Sequence, residues 1–305
     1  MRNWVSYKNG NYTVSINILD GTKIRQNDLD CFEPDTIESC DIKITNKCDR
    51  NCKFCHEASS NFGKHGDILN VPFLEKLHPY CELAIGGGNP LTHPDLDKFL
   101  ELCRERKHIP NMTVNQVHFE KEFDRILNYV KKRLIFGLGI SLVNLTPEFI
   151  EKVKRIPTAV IHVINGLVTE EQLRLLKNNN LKVLVLGYKE FRKGKKLYEE
   201  MPQVINYGIS IMKNLLPTII KEGWFNVISF DNLALKQLDV KSLMSEEEWN
   251  RFYMGDDGLE GSQTSATMFI DLVKKQFAKN SCAPENERYP LMDTAEDMLN
   301  FLMNE

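Results

Sequence analysis

The sequence predicts an α/β protein: a partial (β/α)6 TIM-like barrel with an N-terminal β-hairpin and a C-terminal α/β extension. Three observations predict it. From Cys40 onward, β-rich runs of five to eight residues alternate with longer helical stretches, the pattern of a mostly parallel sheet. Several of those stretches open on recognisable helix-start signals. Ahead of them, residues 4–18 alternate apolar and polar side chains around Asn9-Gly10, and Asp20-Gly21 marks a second turn, which together read as a hairpin.

The strands are expected at residues 40–45, 82–86, 112–115, 136–143, 159–164 and 182–186. His93-Pro94-Asp95 leads into a helix over 96–105, and Thr146-Pro147-Glu148 opens another over 149–155. Thr169 and Gln172 have the spacing of a capping box. Six such units in succession favour a barrel or partial barrel, with an open doubly wound sheet as the competing reading. Beyond Leu186 come a basic loop, a helical stretch over 204–221, a further strand over 226–235 and an acidic, helix-like stretch over 244–257. Turn residues Asp256, Asp257, Gly258 and Gly261 precede an apolar run over 266–272. The expected divisions are therefore 1–37 for the hairpin, 38–232 for the barrel and 233–305 for the extension.

With 305 residues, 42% of them hydrophobic, the chain has enough apolar side chains for a full core. A formal charge of −3 gives no broad basic field, so nucleic acid is an unsupported partner. The N-terminus lacks the apolar stretch of a signal peptide, and no apolar run approaches the roughly 18 residues a membrane span needs. The expectation is a cytoplasmic protein, whose eight cysteines are thiols or metal ligands rather than bridges. Cys31, Cys40, Cys81, Cys103 and Cys282 stand singly and read as small buried hydrophobes.

Cys48, Cys52 and Cys55 instead cluster on one polar loop, directly after the first barrel strand. Three thiolates on a short loop can converge on one metal centre, and sulfur ligands select zinc, copper or iron–sulfur clusters. Four readings compete. Structural cysteines are disfavoured because Lys47, Asp49, Arg50, Asn51 and Lys53 leave no core to fill. Zinc needs a fourth ligand, for which only His56 is adjacent. Haem attachment at the formal Cys52-x-x-Cys55-His56 motif leaves Cys48 idle and requires export. A cuboidal cluster held by three cysteines keeps one iron open for a small molecule.

On this loop the sequence resembles the radical S-adenosylmethionine (radical SAM) superfamily, with Cys48-x3-Cys52-x2-Cys55 as its signature and Phe54 as the aromatic before the last cysteine. The run Gly86-Gly87-Gly88-Asn89-Pro90 stands where that superfamily usually has Gly-Gly-Glu-Pro, so an acidic contribution is missing there. The glycines are expected to let the backbone approach the cosubstrate closely. The resemblance implies a [4Fe-4S] cluster on Cys48, Cys52 and Cys55, with S-adenosyl-L-methionine contacted by Phe54, Gly86, Gly87, Gly88, Asn89 and Pro90. It extends by position to Asn115, Ser141 and Asn165 at three strand ends, each equally readable as a turn residue or helix cap, and to Gly187 and Tyr188 along the adenine. It further implies an electron donor such as flavodoxin or ferredoxin, and formation of a 5′-deoxyadenosyl radical that abstracts a hydrogen atom.

No residue is assigned a catalytic role from the sequence. His56, Glu57, His65 and His93 read as polar-loop or helix-start residues. Lys189, Arg192, Lys193, Lys195 and Lys196 form either a solvated face or an anionic-substrate site. A C-terminal segment over 254–289 is expected to fold across the barrel mouth as a lid, bringing Asp256, Asp257, Asp271 or Arg288 near the substrate. With only Cys282 in that region there is no set of ligands for an auxiliary cluster, and an N-terminal region under 40 residues has no room for a leader-binding domain. The expected substrate is a small molecule or nucleotide, with a peptide or protein residue as the alternative. A non-catalytic iron–sulfur or zinc protein is the reading of another class.

Overall fold

A computed structural model describes residues 3–19, 21–28, 32–252 and 266–304. Cys31, Asp256 and Asp257, together with the end of the expected 244–257 helix, lie outside the described residues.

Strands β1 (Trp4–Asn9), β2 (Tyr12–Asn17) and β3 (Lys23–Gln26) form a three-stranded antiparallel sheet in sequential order. Gly10 and Asn11 make the first turn, and Gly10 sits at φ 54°, a conformation glycine reaches without a Cβ clash. This small sheet is tied to the next strand by one buried carboxylate. Glu38, fully inaccessible to solvent, accepts from the Tyr12 hydroxyl at 2.6 Å and from Arg25 at 2.8 and 3.1 Å. Lys23 adds an ion pair at 3.3 Å. Burial alone would raise the Glu38 pKa, but Lys23 and Arg25 reverse that and hold it below the usual carboxylate range.

The main sheet has ten strands. In chain order they are β4 (Ser39–Thr45), β5 (Glu82–Gly87), β6 (Ile109–Asn115), β7 (Gly137–Ser141), β8 (Ala159–Ile164), β9 (Lys182–Leu186), β10 (Val227–Phe230), β11 (Thr267–Asp271), β12 (Gln276–Ala278) and β13 (Tyr289–Pro290). Their spatial order is β10-β9-β8-β7-β6-β5-β4-β11-β12-β13. β4 to β10 are all parallel and laid down one beside the next, without the reversal that defines a doubly wound sheet. The capping box at Thr169 and Gln172 is formed in both directions, at 3.2 and 3.0 Å.

One sequence expectation needs correction. The strand expected over 226–235 ends at Phe230, because the Asp231 carboxylate accepts from the Ala234 N–H at 2.8 Å and caps a helix, Asn232–Leu238. The apolar run after the acidic stretch is β11, which pairs in parallel with β4 and so carries the C-terminal segment into the main sheet.

The two faces of the sheet differ. One carries Cys40, Ile42, Ile44, Leu83, Ile85, Met112 and Val114 and is buried beneath helices. Parallel sheets normally bury both faces. Here the other face carries Asp41, Lys43, Ala84, Gly86, Asn111, Thr113, Gly139, Ser141 and His162, most of them only partly buried. Register confirms that they share rows: Asp41 pairs with Ala84 and Ala84 with Asn111, while Asn115 pairs with Ser141 and Ser141 with His162.

Candidate active site

The cysteine loop leaves β4 at Thr45 and is laced to itself through its backbone. The Cys48 N–H donates to the Ser60 carbonyl at 2.8 Å, the Cys55 N–H to Cys52 at 3.2 Å, and the Ala58 N–H to Cys55 at 3.2 Å. Asn51 and Ala58 adopt φ of 45° and 53°, which turn the loop sharply. Cys48, Cys52 and Cys55 are partly exposed, unbridged and within electrostatic reach of one another. Burial pushes the Cys48 and Cys52 thiols up, so their thiolates need a nearby positive centre, and a metal supplies one. Three convergent, unbridged sulfur ligands fit an iron–sulfur cluster.

The glycine run fits against this loop. The Gly88 N–H donates to the Thr45 carbonyl and the Asn89 N–H to the Lys47 carbonyl, both at 2.7 Å. A β-carbon on Gly87, whose φ is 108°, would lie 2.4 Å from the Thr45 oxygen, and one on Gly88 would lie 2.3 Å from the Lys47 oxygen. Close packing of the chain against itself therefore requires glycine at both positions. Gly86 is the exception: a β-carbon there meets nothing within 4 Å, and it faces the polar side beside Lys43. Asn89 caps the short turn Pro90–Thr92, accepting from the Leu91 N–H at 3.2 Å.

The remaining sequence candidates divide. Asn115 and Ser141 stand side by side on the polar face, although the Asn115 carbonyl oxygen also caps the following helix through the Val117 N–H at 3.0 Å. Asn165 is fully buried and donates to Gln237 at 3.1 Å. Gln237 in turn accepts from the Tyr188 N–H and donates to the Tyr188 carbonyl, both at 3.0 Å. The Tyr188 hydroxyl donates to the Gly194 carbonyl at 2.8 Å, and its ring is buried with Leu197 and Ile205, Phe54 packing against that group. Gly187 makes room for Leu233. The Tyr188 hydroxyl and the Asn165 side-chain NH2 thus bond protein partners, while the buried Asn165 side-chain oxygen has none among the described residues.

The basic loop divides: Lys195 and Lys196 are exposed, whereas Lys189, Arg192 and Lys193 turn inward onto protein partners. The Lys193 ammonium reaches Asn51 at 2.8 Å and the Ser59 carbonyl at 3.3 Å, and Arg192 donates to the His56 carbonyl at 3.2 Å. Arg192 also lies 3.6 Å from Glu57 and 3.4 Å from Glu285, with its backbone at φ 50° and ψ −116°. Lys189 donates to the Ser281 hydroxyl at 3.4 Å. This segment clasps the cysteine loop on one side and the C-terminal segment on the other. Beneath it Lys43, 2% exposed, holds Glu57 at 2.6 Å and Asp271 at 3.0 Å. Arg288 is spent on the Ser281 and Ala283 carbonyls, at 2.8 and 3.0 Å. His93 is likewise structural, bonded to the Gly66 carbonyl at 2.9 Å. His65 lies 2.9 Å from the Thr45 hydroxyl.

Three features escaped the sequence reading. Asp41 is open to water yet ringed by protein atoms, and that desolvation raises its carboxyl. His162 sits in a slot kept clear by Gly139, where a β-carbon would come within 2.3 Å of the imidazole, and burial pushes its pKa down to about 4. A histidine in the otherwise apolar run Ala159–Ile164 was the available signal. His118, on the helix after β6, meets the Asp49 carboxylate at 2.5 Å, and both lie within 4.8 Å of the Cys48 sulfur. That triple of ligands uses Cys48 but leaves Cys52 and Cys55 aside.

No family model matches the chain. Among curated proteins it is similar to a probable GTP 3′,8-cyclase of Methanococcus maripaludis, 29% identical over 128 residues, which are 38% of this chain and 40% of that protein. An uncharacterized protein of Methanocaldococcus jannaschii is 22% identical over 218 residues, 69% of this chain and 68% of the relative. The chain thus spans about two fifths of the length of the cyclases it matches. Among solved structures, Streptococcus suis SuiB bound to S-adenosylmethionine superposes with a TM-score of 0.60 at 13% identity, over 92% of this chain and 82% of that one. The anSMEcpe structure with bound AdoMet and Cp18Cys peptide gives 0.56 at 14%, over 88% and 80%. The chain shares the fold of these S-adenosylmethionine-bound proteins.

Cys48, Cys52 and Cys55, unbridged on one loop, are the residues of this chain that would fit a [4Fe-4S] cluster. No helix among the described residues is long and apolar enough to cross a membrane.

Proposed function

We propose that this chain cleaves S-adenosylmethionine reductively and abstracts a hydrogen atom from a polar substrate held against the open face of its sheet. The observation that carries the reading is the junction of two motifs: the cysteine loop and the glycine run are bonded together at Thr45–Gly88 and Lys47–Asn89, directly beside that face. When bound, the cluster and cosubstrate supply a 5′-deoxyadenosyl radical. The protein's part is to hold ligands, exclude competing hydrogen donors and orient the substrate.

Cys48, Cys52 and Cys55 hold the cluster in this reading. Gly86 offers an open backbone to the cosubstrate, and Asn115 and Ser141 offer polar groups beside it. The sheet is read as a partial (β/α)6 barrel whose lumen is the polar face. Asp41, Thr113 and neutral His162 then present hydrogen-bonding groups to a substrate below the cosubstrate. The C-terminal segment, held by Lys189 and Arg192, acts as the lid over the mouth.

A small molecule or nucleotide is the favoured substrate, supported by the similarity to probable GTP 3′,8-cyclases. A peptide is the second reading, favoured by the likeness over 92% of the chain to SuiB bound to precursor peptide SuiA. The test is anaerobic reconstitution with iron and sulfide, reduction with dithionite, and assay of 5′-deoxyadenosine beside a Cys48→Ala, Cys52→Ala, Cys55→Ala variant. Brown protein that forms 5′-deoxyadenosine only with its cysteines intact supports the reading. A colourless zinc protein, or a cluster that leaves the cosubstrate whole, rejects it. Deuterium transfer into 5′-deoxyadenosine from labelled GTP or from labelled peptides then separates the two substrate classes.

A further inference from the structure

Two cations from distant parts of the chain bond one serine. Lys189 lies just after β9 and Arg288 just before β13, and both reach Ser281 in the connection from β12 to β13. Arg288 Nη2 donates to the Ser281 carbonyl at 2.8 Å and Nε donates to the Ala283 carbonyl at 3.0 Å, which fills one edge of the planar guanidinium. Nη1 stands off that edge. It is buried and has no hydrogen-bond partner among the described residues, in a residue only 6% exposed. A buried guanidinium nitrogen left unpaired is costly, so a partner that is not protein is called for.

Lys189 is also under-used. Its ammonium meets the Ser281 hydroxyl at 3.4 Å, at the long end of the hydrogen-bond range, and makes no ion pair among the described residues. Two of its three donors are left over. Glu285 acts on Arg288 through space but is held by Lys274 at 2.9 Å and lies 3.4 Å from Arg192. Like charges drawn onto one residue repel, and an oxyanion seated between them turns that cost into attraction.

Their place in the fold fits a ligand on the polar face. Phe269 of β11 is registered against Asp41 of β4 and so points to the same side of the sheet. The Arg288 guanidinium lies over the Phe269 ring, 5.2 Å from its centroid. Lys189 is within electrostatic reach of Asp41 in the same row, without an ion pair between them. Both cations therefore stand at the β11 end of the face that holds the proposed substrate.

We propose that Lys189, Ser281 and Arg288 form an oxyanion subsite that takes a carboxylate or phosphate group of the substrate. The proposal rests on the reading of the polar face as the substrate site. Lys189 and Arg288 Nη1 donate to the anion, and the Ser281 hydroxyl, which accepts from Lys189, donates its own proton. Arg288 is fixed in advance by two carbonyls, whereas Lys189 comes from the loop after β9. The anion thus ties the C-terminal segment to that loop.

The test uses the full-length protein without added iron, so that it is independent of the cluster. Thermal unfolding is followed while inorganic phosphate or, separately, acetate replaces chloride at constant ionic strength. The anion that fits is expected to raise the Tm saturably, and the tighter of the two names the group. Lys189→Gln and Ser281→Ala keep the Arg288 carbonyl bonds, and their Tm in chloride reports folding. Lys189→Gln is expected to weaken the anion's apparent affinity at least tenfold, Ser281→Ala at least threefold, and Lys189→Arg to stay within threefold of the unaltered protein. No saturable response to either anion overturns the subsite, as does a response that Lys189→Gln and Ser281→Ala leave unchanged. Formation of 5′-deoxyadenosine by the reconstituted protein is read separately. Its absence with anion binding intact rejects the proposed reaction alone, and its presence without anion binding rejects the subsite alone.

Discussion

The carbonyl of Lys47 and the α-carbon of Gly88 are in direct apposition: the Asn89 N–H bonds that carbonyl at 2.7 Å, and a β-carbon on Gly88 would sit 2.3 Å from the same oxygen. This contact distinguishes neighbouring glycines. Gly88→Ala is expected to force the cysteine loop away from β5 and to cut iron bound per chain after reconstitution by more than half. Gly86→Ala has open space, so it should keep its iron and shift stability by less than about 1 kcal/mol. Its defect should be a tenfold or greater weakening of S-adenosylmethionine binding, measured by equilibrium dialysis. Equal iron loss in both variants would falsify the division.

Lys43 neutralises two buried carboxylates, Glu57 at 2.6 Å and Asp271 at 3.0 Å. Lys43→Met leaves Asp271 without its cation and Glu57 with only the longer pairing to Arg192 at 3.6 Å and to His56 at 3.4 Å, and breaking a buried pair this way costs about 3–5 kcal/mol. Urea denaturation should report that loss, and adding Asp271→Asn should recover part of it. Full additivity of the two substitutions contradicts the pairing.

Arg192 occupies φ 50° and ψ −116°, a backbone region that suits glycine, while its guanidinium spans from Glu57 to Glu285. Arg192→Gly relieves the backbone and removes the span. Global stability should therefore change little, but amide exchange over residues 55–60 should quicken at least tenfold. A uniform quickening across the sheet would show that Arg192 supports the fold at large.

Two buried groups set an acid limit on stability. Burial pushes the His108 pKa down to about 4, opposed in part by its bond to the Leu77 carbonyl. Between about pH 6.5 and 4 the unfolded chain takes up a proton that the folded chain refuses, so stability falls as pH falls through that window. Glu38, held below the usual carboxylate range, adds stability that is present above that range and lost as pH falls through it. His108→Gln is expected to flatten the decline in Tm between pH 6.5 and 4 and to leave the steeper decline below it.

What the sequence disclosed was local. The bounds of β8 and β9 agree residue for residue, because Ala159–Ile164 and Lys182–Leu186 are uninterrupted β-rich runs with turn residues outside them. The cysteine loop and the glycine run were legible as motifs, but their mutual bonds depend on β4 lying beside β5. The helix at Asn232–Leu238 was hidden because one side chain, Asp231, decides where the strand stops. The inward turn of Arg192 and Lys193 was hidden because their partners Asn51, His56, Glu57 and Glu285 lie far off in the chain. His162 took its meaning from Gly139 on another strand, and spacing within one strand carries no record of that.

The pairing of β11 with β4 has a consequence for synthesis. Thr45 and Thr267 are separated by roughly 220 residues, so at about 5–20 residues per second the ribosome needs on the order of 10–45 s after making β4 to deliver its second neighbour. Through that interval β4 has an unfilled edge, and Lys43 has Glu57 but not Asp271. Iron delivered early would therefore meet a cysteine loop whose supporting strand is bounded on one side only. On the proposed cluster reading, assembly of the metal centre is in this way coupled to the arrival of β11 near the end of the 305-residue sequence, and a nascent polypeptide stalled before β11 is a natural substrate for chaperones.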